Sequence, residues 1–399
     1  MPKKKFHADK RRKGGVSRLL RFVFSLLTSR AFLMILIVVV AVLLAAPRLS
    51  SIKPLPPDSF APLESFSGRT VVVTGGTAGV GLEAARTLAR NGAKLIVTGR
   101  AAKRAVAAAA SLPGSDHTGL GLDLTSPSSI DAFTAAIRSS VEKLDVLVLN
   151  AGMVYGMDFT GPYTVSFPNG KVDNMVASNH LGHFQLLRNL SDLIVKSSTR
   201  VVIVSSISHY WGTNASVAPL QLINPTRGVD GKPLPLSPAA FPFLYGATKL
   251  LNVLTATRLA DMLPATSGAS VVLCTPGFSA TSIGQSSDRT LSFSSPIKYI
   301  PLAFSAEQGS EVLVAAITVR DATKLKDKML QPYWIYEDAH KIFGHGPLLA
   351  AFYNFAQEML QKLSPGIWAH SVSAAAKDKR LQESVWKWSE AMVRRPTAA

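Results

Sequence analysis

Residues 69–81, with the sequence RTVVVTGGTAGVG, decide the fold. The first five are mostly β-branched and predict a short buried strand. Gly75, Gly79 and Gly81 follow, and the helical pattern LEAARTLARNG then runs to Gly92. This order of strand, glycine-rich turn and helix predicts a site for a dinucleotide pyrophosphate, because a helix N-terminus attracts anions and glycines let the backbone approach them.

Further strand-like runs follow at Lys94 to Thr98, Gly119 to Leu122, Leu144 to Leu149 and Arg200 to Val204. They alternate with helical segments, so the sequence predicts an α/β fold that is Rossmann-like and doubly wound, with a largely parallel sheet and helices on both faces. The predicted catalytic domain covers residues 68–300. Residues 301–399 are predicted to form a C-terminal helical extension that completes the substrate pocket.

The end of the second strand indicates which dinucleotide is bound. NAD sites place a carboxylate there for the ribose 2′-hydroxyl, whereas this chain has Thr98-Gly99-Arg100. Arginine binds a 2′-phosphate through paired, charge-assisted hydrogen bonds. The sequence therefore predicts NADP, as NADPH, rather than NAD. Lys103 and Arg104 lie just beyond and are more typical of a solvated helix face.

Several further motifs follow in the chain. They are Asn150-Ala151-Gly152 after the third of these runs, Asn179 in ASNHLGHF, Ser206 after the fourth, Tyr245 and Lys249 in YGATK, and Pro276-Gly277 followed by Thr281. Their order resembles that of the short-chain dehydrogenase/reductase family, densely over residues 67–281. NHLGHF and the C-terminal SVWKWSEAMV are similar to the branch of retinol dehydrogenases, WW-domain oxidoreductases and light-dependent protochlorophyllide reductases.

The resemblance implies an oxidoreductase acting on a CH–OH or carbonyl group. Tyr245 and Lys249 lie one helical turn apart on one face, so the lysine ammonium is expected to lower the phenol pKa from about 10 and make Tyr245 the general acid and base. By resemblance, Lys249 also binds the nicotinamide ribose, Ser206 polarises the substrate oxygen, and Asn179 holds a water of the proton relay. Ser205 remains an alternative to Ser206.

The resemblance also implies a set of cofactor contacts and no metal. The implied cofactor-binding residues are Thr74, Gly75, Thr77, Gly79, Val80, Gly81, Arg100, Asp123, Leu124, Asn150, Ala151, Gly152, Tyr245, Lys249, Pro276, Gly277 and Thr281. His180 and His183 have no evident third ligand, so we interpret them as structural. Cys274, the only cysteine, is interpreted as a small buried hydrophobic residue.

The charge is concentrated at the N-terminus. The chain has 399 residues and a formal charge of +18, and residues 1–30 hold ten Lys/Arg and one Asp. Half of the excess therefore lies in a basic tail, residues 1–25, rather than on a recognition surface of the fold. No nucleic-acid partner is predicted.

Residues 26–46 follow the tail and carry a single charge, Arg30. At 1.5 Å per residue, a helix of this length spans about 31 Å, enough for a hydrocarbon layer of about 30 Å. The sequence predicts a single-pass anchor in the endoplasmic reticulum, with an organellar membrane as the alternative and the domain across the membrane from the basic tail. A cleaved signal peptide or presequence is the other interpretation. Residues 47–67 contain five prolines and predict an extended linker.

Together these features predict NADP(H)-dependent interconversion of a carbonyl and an alcohol on a lipophilic, retinoid- or steroid-like molecule beside a membrane. Alternatives are a lipid-biosynthetic 3-keto reductase, a protochlorophyllide-type reductase, and a non-enzymatic NADP-binding scaffold or redox sensor. Residues 348–363 form an amphipathic pattern, interpreted as a packing helix, or as a pocket cover or membrane contact. Sequons at Asn189 and Asn214 offer a test of membrane orientation. The sequence leaves the oligomeric state open, a homodimer included.

Overall fold

The first strand forms where the β-branched run predicts it. The computed structural model describes residues 54–154, 164–212, 241–277, 305–332 and 366–394. Strand β1 (Thr70–Val73) lies in the interior of the main sheet, and its three valines are fully buried. The other strands are β2 (Lys94–Gly99), β3 (Thr118–Gly121), β4 (Val146–Leu149), β5 (Thr164–Phe167), β6 (Gly170–Asp173), β7 (Arg200–Val204), β8 (Ser270–Cys274), β9 (Lys328–Gln331) and β10 (Trp368–Ser371).

Eight of these strands form one sheet in the order β10-β9-β8-β7-β4-β1-β2-β3. All neighbouring strands are parallel except β10, which runs antiparallel to β9. Strands β5 and β6 form a separate antiparallel hairpin. The predicted Rossmann-like, largely parallel architecture is confirmed.

Helices cover both faces of the sheet. They are α1 (Gly79–Arg90), α2 (Ala102–Ala110), α3 (Pro127–Ser140), α4 (Gly182–Asn189), α5 (Ser191–Lys196), α6 (Phe241–Met262), α7 (Ala306–Thr318), α8 (Ala374–Lys377) and α9 (Lys379–Val393). One core cluster joins α1 and α7 to the sheet. The other joins α3, α4, α6 and α9 to the opposite face. Fully buried leucines such as Leu250 and Leu254 of α6 each contribute about 1.5–3 kcal/mol of burial free energy.

Side chains cap several of the helices, but not the one that follows the glycines. Ser126 accepts a hydrogen bond at the start of α3, and Ser305 with Gln308 forms a capping box on α7. Helix α1 begins after Ala78, which has no capping side chain. Its first backbone N–H groups therefore have no side-chain acceptor and can receive an anion.

The C-terminal region differs from the prediction of a purely helical extension. Its described part supplies α7, α8 and α9, but it also supplies strands β9 and β10, which extend the main sheet beyond β8. The backbone N–H of Thr275 donates to Leu330 O at 2.9 Å, so β9 continues the edge at which β8 ends. The C-terminal region is therefore part of the sheet itself.

A π-helix, Ala177–Leu181, interrupts the chain before α4. Such one-turn widenings are rare and often mark functional sites. Just after it, Gly182 packs so closely that a Cβ there would lie 2.2 Å from Leu124 O. Only glycine fits this contact, which fixes the π-helix against the end of β3.

Some predictions fall on residues that the structure does not describe. These are the anchor at 26–46, Thr281, the sequon at Asn214 and the amphipathic segment 348–363. Among the helices of the described ranges, none is both long and apolar enough to span a bilayer.

Candidate active site

The predicted site residues lie at the carboxyl edge of the sheet, where ligands of open α/β folds bind. The glycine loop, residues 74–81, connects β1 to α1 and packs against the loop after β4. A Cβ at Gly75 would lie 2.9 Å from the Cα of Ala151, and a Cβ at Gly81 would lie 2.5 Å from Asn150 Nδ2. Gly75 also has a positive φ of 65°. Both positions therefore require glycine.

Thr74 ties the ends of β1 and β4 together. Its hydroxyl oxygen accepts hydrogen bonds from the backbone N–H groups of Asn150 at 2.9 Å and Ala151 at 3.1 Å. In return, Asn150 Nδ2 donates to Thr74 O at 2.9 Å. The predicted cofactor residues of the two loops therefore form one hydrogen-bonded unit.

Asn179 is buried in the π-helix, and both the oxygen and the nitrogen of its side-chain amide form hydrogen bonds. The side-chain oxygen accepts from Met153 N at 2.7 Å, and the side-chain nitrogen donates to Met153 O at 2.9 Å and to Thr248 Oγ1 at 3.0 Å. Asn179 therefore pins the loop after β4 to helix α6. Gly152 lies beside it, since a Cβ there would be 3.4 Å from both Asn179 Oδ1 and Lys249 Nζ.

The structure distinguishes Ser206 from Ser205, which the sequence analysis kept as an alternative. Ser205 is buried and donates its hydroxyl to Lys249 O at 2.8 Å. Ser206 is only half-buried, caps the 3₁₀ turn Ile207–Trp211, donates its hydroxyl to Ser208 Oγ at 3.1 Å, and is close enough to Tyr245 to lower its pKa. Ser206 is therefore the serine that can reach a ligand at Tyr245.

Tyr245 and Lys249 lie on the same face of α6, with Lys249 Nζ over the tyrosine ring, 5.5 Å from its centroid. The structure does not support the expected lowering of the Tyr245 pKa. Burial raises the pKa of Tyr245 to about 12, opposed by the Ser206 hydroxyl beside it. Burial also lowers the pKa of Lys249 to about 8. Desolvation outweighs the lysine because Nζ faces the ring and donates to Val204 O at 3.3 Å.

The end of β2 carries no carboxylate. A Cβ at Gly99 would lie 2.8 Å from Thr77 Cγ2, so a larger side chain at that position would have to displace Thr77. Arg100, Lys103 and Arg104 are exposed beyond it, and no ion pair involves them within the described ranges. This unneutralised positive charge beside the glycine loop can bind a phosphate group.

The remaining predicted cofactor residues that the structure describes lie around the same edge. Gly79 has a positive φ of 57°, and Val80 is buried in α1. Asp123 accepts hydrogen bonds from the backbone and hydroxyl of Thr125 at 2.9 and 2.7 Å, and Leu124 is buried against Gly182. The others placed at this edge are Pro276 and Gly277, which directly follow β8 and Thr275.

The two histidines of the NHLGH segment are buried in hydrogen-bonded positions. His180 Nε2 lies 2.8 Å from Ser389 Oγ on α9, and His183 Nε2 lies 2.9 Å from Thr74 Oγ1. Burial lowers the pKa of each to about 3. Within the described ranges, no three His, Cys, Asp or Glu side chains are grouped closely enough to hold a metal ion. Cys274 is buried, and burial raises its pKa to about 12.

Sequence reasoning missed Gln331 and Trp368. Gln331 ends β9, one residue beyond Leu330, and is 1% exposed, yet neither atom of its amide has a hydrogen-bond partner among the described residues. Trp368 lies opposite Gln331 on β10, and its buried indole N–H likewise has no partner within the part of the chain that the structure describes. No sequence motif indicates these residues, because their position near the carboxyl edge of the sheet depends on pairing between strands that are distant in sequence.

Comparison with known proteins shows that part of this chain is similar to short-chain dehydrogenases. The short chain dehydrogenase family model matches residues 69–217. The chain is 36% identical over 155 residues to dehydrogenase/reductase SDR family member 13 of Bos taurus (38% of this chain, 39% of the relative). It is 36% identical over 169 residues to the chloroplastic protochlorophyllide reductase of Daucus carota (41% and 42%). It is 33% identical over 170 residues to the human WW domain-containing oxidoreductase (41% and 39%).

The fold has a counterpart among solved structures. A protein of Mycobacterium paratuberculosis superposes with a TM-score of 0.55 at 24% identity, covering 86% of this chain and 98% of that one. The chain spans about two fifths of the length of each of the three curated relatives above. Over residues 69–217 the resemblance to the short-chain dehydrogenase/reductase family is confirmed, in the branch that includes WW domain-containing oxidoreductases and protochlorophyllide reductases.

Proposed function

We propose that the protein is an NADP(H)-dependent oxidoreductase, tethered to a membrane by residues 26–46, that interconverts a carbonyl and an alcohol on a lipophilic, retinoid- or steroid-like molecule. The observation that carries the proposal is the convergence of Asn179, Ser206, Tyr245 and Lys249 beside the glycine loop. This reaction needs two hydroxyl groups, an ammonium group and a binding site for the dinucleotide.

The residues fit the cofactor. The glycine loop leaves room for a pyrophosphate at the uncapped start of α1, and Arg100 can pair with a 2′-phosphate. Lys249 lies next to Gly152, on the side of the loop after β4 where it can bond a ribose hydroxyl. NADPH, when bound, supplies the hydride for the substrate carbon.

The chain's own residues supply the proton. With a pKa of about 12, the Tyr245 phenol keeps its proton at neutral pH, as a general acid for reduction must. The Ser206 hydroxyl, which lies beside Tyr245 and donates to Ser208 Oγ in the free site, can turn to donate to the same substrate oxygen as negative charge develops on it. The Lys249 ammonium then stabilises the phenolate that remains.

Substitution of the tyrosine tests the assignment. In Tyr245→Phe, turnover should fall by about 10²–10⁴-fold, since only the proton donor is lost. The NADPH dissociation constant, from fluorescence titration, should stay within about threefold, below 1 kcal/mol. Tyr210→Phe is the matched control, because the Tyr210 hydroxyl donates to Ser371 O at 2.6 Å outside the catalytic set. Full turnover in Tyr245→Phe would refute the proposal; lost turnover with retained NADPH binding would exclude the scaffold or redox-sensor alternative.

A substrate panel identifies the class of carbonyl. Retinal, a steroid ketone and a 3-keto lipid should be offered with NADPH and with NADH, and the absorbance of the reduced nicotinamide followed. Oxidation of NADPH with retinal or the steroid ketone supports the proposal. Turnover of the 3-keto lipid alone favours the lipid-biosynthetic alternative, which uses the same residues.

Reduction of protochlorophyllide is a second candidate function, favoured by the 36% identity to the carrot protochlorophyllide reductase over 169 residues. Turnover of protochlorophyllide with NADPH, measured in light and in darkness, distinguishes it. Light-dependent loss of the substrate absorbance would favour this candidate over carbonyl reduction.

A further inference from the structure

His183 connects the cofactor side of the site to its catalytic side. The residue lies in α4, one turn after Asn179, and only 4% of it is exposed. Its Nε2 is 2.9 Å from Thr74 Oγ1, at the end of β1. Its Nδ1 is 3.4 Å from the backbone oxygen of Asn179, in the π-helix. The His183 imidazole therefore contacts both Thr74, which begins the glycine loop, and Asn179 of the π-helix.

The hydrogen-bond count at Thr74 fixes the state of Nε2. A hydroxyl has one proton and two acceptor positions. The N–H groups of Asn150 and Ala151 fill both acceptor positions, so the Thr74 proton must be donated outward. The alternatives are His183 Nε2 at 2.9 Å and Val148 O at 3.2 Å. The bond to His183 is the shorter of the two, and an unprotonated Nε2 leaves the Thr74 oxygen with two N–H donors, whereas a protonated Nε2 would add a third.

The other ring nitrogen leads to the same conclusion. The backbone oxygen of Asn179 can only accept, so Nδ1 must carry the proton that forms this bond. Both ends of the ring therefore require one neutral tautomer, with the proton on Nδ1. Burial lowers the pKa of His183 to about 3, in agreement with a neutral ring at physiological pH.

We propose that His183 is a positioning residue: its neutral Nδ1–H tautomer sets the glycine loop, through Thr74, against the π-helix that carries Asn179. The role rests on the proposed function, because the geometry that it fixes is that of the NADPH site. A doubly protonated ring, or the Nε2–H tautomer, would place a third donor against the Thr74 oxygen and break the arrangement.

His180 provides a matched control. It is three residues earlier, equally buried, and has a pKa lowered to the same value. Its ring bonds Ser389 on α9 rather than a cofactor loop. Substitution of His180 therefore perturbs a buried imidazole without touching the link to Thr74.

Two His183 variants test the link by their affinity for NADPH. His183→Phe keeps the ring shape and removes both hydrogen bonds, and should weaken NADPH binding about tenfold, as expected for a buried hydrogen bond. The KM for the carbonyl substrate found in the panel should change less than the NADPH affinity. His183→Gln restores an acceptor for Thr74 and should recover most of the affinity, whereas His180→Gln should leave it unchanged. Unchanged affinity in His183→Phe, or an equal loss in His180→Gln, would overturn the proposal.

A spectroscopic measurement keeps the inference testable if His183→Phe does not fold. The full chain, labelled with ¹⁵N only in its eight histidine rings, can be assigned by comparison with His183→Gln. The His183 signals should show a protonated Nδ1 and an unprotonated Nε2 at pH 7. The opposite tautomer would overturn the proposal. If the wild-type chain does not bind NADPH, the proposed function fails, and the tautomer still decides whether the bridge exists.

Discussion

The position of the Lys249 ammonium bears on which form of Tyr245, the proposed general acid, the free protein holds. Its Nζ lies over the face of the Tyr245 ring and donates to Val204 O, so its attraction for a phenolate does not outweigh the desolvation of the phenol oxygen. Burial consequently raises the Tyr245 pKa to about 12. The free site is therefore in the protonated state that reduction requires, and oxidation would need the phenol to lose its proton first.

Under the proposed function, preference for the 2′-phosphate of NADPH depends on a single residue, Arg100. We expect Arg100→Ala to raise the KM for NADPH about tenfold or more, because a charge-assisted hydrogen bond contributes about 1.5–3 kcal/mol. The KM for NADH should not change, since NADH has no phosphate at that position. Initial rates with both nucleotides measure the difference.

Lys103→Ala is the control for this prediction. Lys103 is exposed on α2 and is interpreted as part of a solvated helix face, so its removal should change the NADPH KM less than about threefold, as for a screened surface charge. Equal losses for NADPH and NADH in Arg100→Ala would argue against a phosphate contact.

The motifs predicted the identity of the site residues better than their contacts. Residues 74–81, Ser206, Tyr245 and Lys249 were named from the sequence and lie at one edge of the sheet. The ring-facing position of Lys249 Nζ and the unpartnered amide of Gln331 were not predicted. Both depend on which distant strand or helix packs against the residue, and a local pattern carries no such information.

At the scale of elements, the C-terminal helix α9 packs on the π-helix. Ser389 donates to Val385 O at 2.8 Å and accepts from His180 Nε2 at 2.8 Å, and Trp388 stacks on the His180 ring at 6.1 Å. The last helix of the described chain is therefore joined to the π-helix through His180. This contact ties the C-terminal region to the core of the fold, in addition to the strands that extend the sheet.

Removal of the serine hydroxyl tests this contact. Ser389→Ala leaves the His180 Nε2–H without this acceptor in a buried position, and should lower the free energy of unfolding by about 1–3 kcal/mol. Ser384→Ala, on the exposed side of the same helix, should change it by less than about 0.5 kcal/mol. Urea titrations of both variants provide the measurement. Equal effects would mean that helix propensity, not the buried contact, is responsible.

Strand-forming runs were predictable, and departures from regular structure were not. The observed β2 and β7 begin at the predicted residues, because consecutive β-branched side chains suit a sheet buried on both faces. The π-helix at Ala177–Leu181 leaves no periodic signature, since one extra residue in a turn depends on the packing of Gly182 against Leu124. Strands β9 and β10 were missed because their sequences, KMLQ and WAHS, contain no β-branched residue, and their pairing depends on segments distant in sequence.

At the scale of the whole molecule, the buried histidines make stability depend on pH. The pKa values of His180 and His183 are lowered to about 3 in the folded protein, against about 6.5 unfolded. Below pH 6.5 the unfolded chain binds more protons, so the free energy of unfolding falls as pH decreases. The expected loss is about 2 kcal/mol for each histidine between pH 6.5 and pH 5.

Urea titrations at pH 8, 7 and 5 measure this dependence. The change from pH 8 to pH 7 should be small, and the loss from pH 7 to pH 5 should shrink in His180→Gln and again in His183→Gln. A wild-type protein equally stable at pH 7 and pH 5 would contradict neutral burial of these rings. His370, whose pKa burial lowers to about 4, adds to the same loss.

Membrane attachment should depend on the N-terminal segment rather than on the described surface. Among the described residues, the large apolar side chains that are exposed are Val106 and Met262, which lie on separate helices and form no patch. Residues 26–46 are long enough to cross a bilayer as a helix of about 31 Å. We therefore expect the full chain to stay in the membrane pellet after alkaline carbonate extraction.

Two deletions separate the possible causes of attachment. Removal of residues 1–46 should release the protein into the supernatant with its turnover in detergent micelles unchanged, because the catalytic set and both core clusters lie beyond this segment. Removal of residues 1–25 alone should leave the protein in the pellet, since charge attraction to lipid headgroups does not survive carbonate whereas a spanning helix does. If the chain lacking residues 1–46 still sedimented with membranes, another part of the molecule, such as the amphipathic segment 348–363, would have to hold it there.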